Sequence, residues 1–126
     1  MYLRIFTLLA LCSLSTAFAE QSKDKKEILI IYGKSTHGAG QHRNEEVAHL
    51  LKHKIDQSKY TKSINVTLSY KYPKDKTLVD RADLIIISSD GGTGHALLDN
   101  KTDPQSNMKD LDKRLKKTKA GIIVIH

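Results

Sequence analysis

The segment Ser89 to His95, SDGGTGH, puts an acid, three glycines and a histidine directly after an apolar run. A carboxylate accepts hydrogen bonds or takes a proton, and an imidazole gives and takes protons near neutral pH. Glycines let backbone N–H groups come close to a ligand and permit positive-φ turns. A second segment of this kind, GKSTHGAGQH from Gly33 to His42, follows another apolar run, and a third apolar run ends at His126. These patterns nominate Asp90, His95 and His126 as acid/base groups. They nominate His37, His42, Gly91, Gly92 and Gly94 as ligand-binding positions. Taken singly, each has a plainer reading. Gly91-Gly92 makes an ordinary turn, Asp90 caps one through its side chain, and loop histidines are usually solvated. His49 and His53 lie on a helix outside its apolar stripe and are assigned no role.

What lifts the grouped residues is the arrangement of the elements that carry them. Glu27 to Tyr32, EILIIY, is continuously apolar and β-branched, as expected of a strand buried on both faces. Asn44 to Ser58 has helical period, with Val47, Leu50, Leu51 and Ile55 as its apolar stripe. Ile64 to Tyr70 alternates and reads as a second strand nearer the edge. Thr77 to Ala82 predicts a short helix burying Leu78 and Val79, and Leu84 to Ser88 a third strand. Asp103-Pro104 is a helix-start signal, and Met108, Leu111 and Leu115 mark that helix's buried stripe. Gly121 opens GIIVI, expected as a fourth buried strand. Strands alternating with helices predict an α/β fold: a parallel sheet with helices on both faces. Ligands in such sheets bind outside the carboxyl ends of the strands. All three glycine and histidine segments therefore converge on one rim. A buried parallel strand normally leads into a covering helix, so the expectation is a domain truncated after the fourth strand.

The chain has 126 residues and predicts one domain. Residues 1–19 read as an export signal. Arg4 precedes the apolar run Ile5 to Leu14, and Ala17-Phe18-Ala19 offers a cleavage pattern. That run is too short for a stable membrane span, so none is expected after signal removal, and the expected location is periplasmic or secreted. Residues 20–26 form a polar linker, and 27–126 the α/β domain. The single cysteine, Cys12, lies within the signal, which leaves no thiol nucleophile, disulfide or thiolate ligand in the remainder. The net charge of +7 is spread over scattered lysines without aromatic interleaving, so no nucleic-acid partner is expected. GKSTHGAG lacks the order of a phosphate-binding loop, and Gly91-Gly92-x-Gly94 lacks dinucleotide-binding spacing.

The segments IIYGKSTHGAGQH, RADLIIISSDGGTGHALL and KKTKAGIIVIH together resemble the trehalose-utilisation (ThuA-like) family. The resemblance covers Glu27 to His126. It implies a flavodoxin-like, class I glutamine amidotransferase-like fold, of which this chain would be the N-terminal half. The sequence departs from the family pattern at Ala39 and Ala96, where proline is expected, and at Gln41 and Arg43, where acids are common. The resemblance also places His126 near the position of the amidotransferase nucleophile. With no cysteine there, thioester chemistry is not supported. The implied role is carbohydrate-linked, with a sugar or modified sugar as the small-molecule partner and no cofactor identified.

Three readings stay open. In the first, an enzyme uses Asp90, His95 and His126 on a sugar, with the Gly91 and Gly92 N–H groups holding an oxygen. In the second, a binding or accessory module has the same cleft and no chemistry. In the third, a metal site is drawn from His37, His42, His95, His126 and Asp90, although His37-x4-His42 is not a known zinc spacing.

Overall fold

The computed structural model describes residues 25–38, 41, 43–98 and 103–126. The expected signal at 1–19 and the ligand candidate His42 lie outside the described residues. The elements are β1 (Lys26–Tyr32), α1 (Asn44–Asp56), β2 (Ile64–Tyr70), α2 (Thr77–Asp80), β3 (Leu84–Ser88), a 3₁₀ turn (Gly92–Gly94), α3 (Ser106–Thr118) and β4 (Gly121–Ile125). The four strands form one sheet in the order β2-β1-β3-β4, and every pairing is parallel.

Each central strand alternates its side chains between two cores. Leu29, Ile31, Ile85 and Ile87 face one side, where Val79 of α2 and Leu111 of α3 cover them. Ile30, Val66 and Ile86 face the other, against Ala48, Leu51 and Ile55 of α1. Helices therefore flank both faces, as the continuous apolar strands predict. Ile30, Ile31 and Ile85 are fully buried, each stabilising the fold by about 1.5–3 kcal/mol relative to exposure. A polar network ties α3 to its side. Arg114 bonds Asp110 at 2.9 Å and Asp80 at 2.6 Å, and the Tyr72 hydroxyl donates to Asp110 at 2.9 Å. Burial first, then the bond to Asp110, pushes the Tyr72 phenol well above its ordinary value. Among the described residues, no helix is long and apolar enough to cross a membrane.

Four local expectations need correction. The buried line of α1 runs through Asn44, Ala48, Leu51 and Ile55. Leu50 lies about 120° around the helix from it, at roughly 100° per residue, and is exposed. The helix at Asp103-Pro104 begins later, at Ser106. Asp103 instead closes the lead-in turn, its carboxylate accepting Gln105 N–H at 3.0 Å and its carbonyl accepting Ser106 N–H at 3.0 Å. Met108, expected in the stripe, sits in the first turn and is one-third exposed, while Leu111 is buried. β4 is an edge strand and is not buried: Ile122, Ile123 and Val124 are 47%, 47% and 63% exposed. Its composition is that of a core strand, but among the described residues no element lies beyond it in the sheet.

Candidate functional site

β2 and β3 lie on opposite sides of β1, so the chain reverses direction across the sheet at the β1/β3 pair. Such a switch point opens a crevice at the carboxyl ends, because the following loops depart to opposite faces. The loops after β1 and β3 are the two glycine-rich segments. The parallel ladder continues into them: Gly33 N–H donates to Ser88 O at 3.0 Å, and Ser89 N–H to Ile125 O at 3.2 Å. Loop one, loop three and the end of β4 thus share one rim, as the topology argument requires.

Close approach of the two loops explains two of the glycines. A Cβ on Gly33 would stand 2.6 Å from Ser89 Oγ and 2.9 Å from the Gly94 carbonyl oxygen. A Cβ on Gly94 would stand 2.2 Å from Cγ2 of Thr36. Gly92 has φ +67°, a conformation that favours glycine. Gly91 and Gly92 are exposed, so their surfaces face solvent at the rim.

Asp90 is fully buried and acts as the pin of the site. Its Oδ2 accepts the Thr36 N–H at 2.7 Å and the Thr36 hydroxyl at 2.8 Å, while Oδ1 accepts Nδ2 of Asn44 at 2.8 Å. Asn44, 4% exposed, in turn accepts the Ser88 hydroxyl at 3.3 Å. Its own backbone N–H donates to Ser35 Oγ at 3.2 Å, so loop one caps the first turn of α1. The Thr36 N–H, then Asn44, hold the Asp90 carboxyl far below the usual carboxylate range. The Thr36 hydroxyl and the His37 charge act in the same direction, and burial opposes them. A carboxylate held so strongly ionised is a weak proton acceptor. Asp90 therefore organises loop one and α1, and the geometry gives no support to its use as a base.

His37 lies beside this pin, His126 beside its neighbour Ser89, and His95 follows in the same loop. His37 places Nε2 3.9 Å from Asp90 Oδ2, too long for a direct hydrogen bond but close enough for electrostatic attraction. His126 sets Nδ1 3.3 Å from the Ser89 carbonyl. A carbonyl only accepts, so Nδ1 carries the proton, and a neutral ring has its lone pair on Nε2. His95 is the converse. Its Nδ1 accepts the Leu97 N–H at 3.2 Å, which leaves the proton of the neutral ring on Nε2. Burial lowers the His95 pKa and favours that neutral form. The segment around His95 is fastened through Ala96, whose N–H donates to Ser89 Oγ at 2.8 Å and whose carbonyl accepts Tyr72 N–H at 3.0 Å. His126 is thus held on the Ser89 carbonyl, and His95 sits in a segment fastened to Ser89 through Ala96.

Thr36, Asn44 and the serines 35, 88 and 89 escape a search for acids, histidines and glycines. One signal marks Asn44: on a helical wheel it falls on the line of Ala48, Leu51 and Ile55, a polar residue on an apolar face. Among the described residues, no group of three or more His, Cys, Asp or Glu side chains converges as a metal site. Comparison of the chain with protein-family models, with curated proteins and with solved structures gives no match.

Proposed function

We propose that this chain is a ThuA-like protein that takes a sugar or modified sugar into the crevice at the carboxyl ends of β1 and β3. The observation that carries the reading is the convergence of the two glycine-rich loops on Ser89 and Asp90, with His37 and His126 beside them and His95 next to Ala96, whose N–H is bonded to Ser89. A sugar is a cluster of hydroxyls, each both donor and acceptor. His95 supplies an Nε2–H to a hydroxyl or carbonyl oxygen, and His126 contributes a second imidazole at the same rim. The exposed Gly91 and Gly92 backbone lines the same rim. In the catalytic form of the reading, these two histidines move the proton and Asp90 keeps loop one in place. Export belongs to the proposal too: N-terminal sequencing of mature protein beginning at Glu20 supports it, and an intact Met1 from an exported fraction counts against it.

A second reading is a binding module without turnover. It is favoured by Asp90, a fully buried carboxylate whose oxygens serve Thr36 and Asn44. Thermal unfolding of the full chain against native and oxidised sugars tests both. A ligand at a hundredfold excess over its Kd adds about 2.7 kcal/mol, a Tm rise of about 10 °C or more at this size. The rise should vanish in His95→Ala and His126→Ala. Stabilisation with product formed supports the enzyme, and stabilisation without product supports the module. No stabilisation by any sugar, or an effect unchanged in both variants, removes the proposal.

A further inference from the structure

The rim opposite the candidate site is the richer of the two in lysine, since the site rim carries Lys34, Lys71 and Lys74. Register sets Lys26 opposite Ile64, Ile28 opposite Leu84 and Leu84 opposite Gly121, so the residues leading into the strands share one edge. Lysines dominate there: Lys25 before β1, Lys59 and Lys62 before β2, Lys117 and Lys119 before β4, all exposed. The topology gathers them, because a helix returning between parallel strands ends at the rim where the next strand starts. The acids nearby are already engaged. Asp83 holds Lys26 at 2.7 Å and accepts Glu27 N–H at 2.8 Å. Glu27 accepts Nδ2 of Asn65 at 2.9 Å, Asp56 pairs with Lys52 at 2.9 Å, and Asp112 with Lys116 at 2.7 Å. Among the described residues, none of the five lysines has an acidic partner.

One further feature bears on what this edge meets. Tyr60 is 54% exposed beside Lys59, whose ammonium lies 5.1 Å from its ring centroid. An amphipathic ring amid lysines suits the headgroup layer of a bilayer, where apolar body and polar tip are both satisfied. A nucleic-acid strand would call for a series of stacking rings.

We propose that the N-terminal rim of the sheet docks the protein on an anionic lipid surface and leaves the histidine-bearing rim turned away from it. The attraction is electrostatic, so it reaches about one Debye length and weakens with salt. Sedimentation of the full chain with vesicles of phosphatidylcholine alone, or with 30% phosphatidylglycerol, tests it. The expected result is at least tenfold stronger partitioning onto the anionic vesicles at low salt, lost at half-molar salt. Lys59→Gln/Lys62→Gln/Lys117→Gln/Lys119→Gln should remove most of that preference while keeping the wild-type circular dichroism. Lys71→Gln/Lys74→Gln, away from this rim, should keep it. If the quadruple variant does not fold, each double, Lys59→Gln/Lys62→Gln and Lys117→Gln/Lys119→Gln, should lower the preference at least threefold. Equal binding to both vesicles would overturn the proposal. So would a preference that survives the rim variants, or tighter binding to single-stranded DNA than to vesicles of matched charge.

Discussion

Asn44 spans the gap between a loop and a core: its amide holds the buried Asp90, and its carbonyl accepts the Ser88 hydroxyl. Removing the amide leaves a buried carboxylate oxygen short of a donor and a buried hydroxyl short of an acceptor. Asn44→Ala should therefore destabilise the fold by about 1–3 kcal/mol, seen as a lower urea midpoint at unchanged m. Asp90 gives the acid limb of stability. Its folded carboxyl titrates below its unfolded value, so the stability it adds is complete above the unfolded value near 4. That stability is lost as pH falls through the lower folded value. Asp90→Asn should unfold more readily than wild type at pH 6, and the gap should narrow steadily below about pH 4. A gap that stays constant down to strong acid would mean the carboxylate is not held ionised. Asp90 itself stands out in the sequence, because an acid after a buried strand is unusual. Its role does not, because whether it donates chemistry or holds a loop depends on Thr36 and Asn44, 54 and 46 positions away.

At the scale of elements, the two glycine-rich loops are locked by a short list of contacts, and Gly94 against Thr36 is the one that a substitution can take apart. Gly94→Ala drives a new methyl into Cγ2 of Thr36, while the Thr36 hydroxyl is held by Asp90. Rotating the threonine away breaks that bond, so the variant should lose about 1–3 kcal/mol. Thr36→Ser keeps the hydroxyl and deletes the clashing carbon. Gly94→Ala should cost markedly less in the Thr36→Ser background, a coupling that a double-mutant cycle in urea measures. Additive losses would show that the loops do not touch there. Strands and their order of appearance are legible from apolar runs, since β-branched stretches between helices have few other uses. Helix faces are less so: Leu50 mimics a stripe residue and Ala48 does not, yet Ala48 lies on the buried line with Leu51 and Ile55 and Leu50 lies off it. The fully apolar composition of β4 gives no hint that its side chains stand open, because a strand's sequence records its propensity and not its neighbours.

For the whole molecule, parallel topology separates two edges with different chemistry. The carboxyl edge holds glycine backbone and histidines beside a buried acid, with Lys34, Lys71 and Lys74, and the amino edge gathers a denser set of lysines. Between them, stability is graded across the sheet. β1 and β3 are hydrogen-bonded on both sides and packed on both faces, whereas β4 has one partner strand and side chains about half exposed. Opening β4 exposes little new apolar surface, while opening β1 dismantles both cores. Native-state hydrogen exchange should therefore find the Leu29 to Ile31 and Ile85 to Ile87 amides slowest, exchanging only by global unfolding. The Ile122 to Val124 amides should exchange by local opening at least a hundredfold faster. A sugar seated in the crevice would slow exchange at 33–37 and 89–96 and leave the amides of 59–63 unchanged, whereas anionic vesicles would do the reverse. Protection of both edges by either ligand alone would show that the two rims do not act independently. Equal protection of β4 and β1 would show that something covers the outer strand in solution.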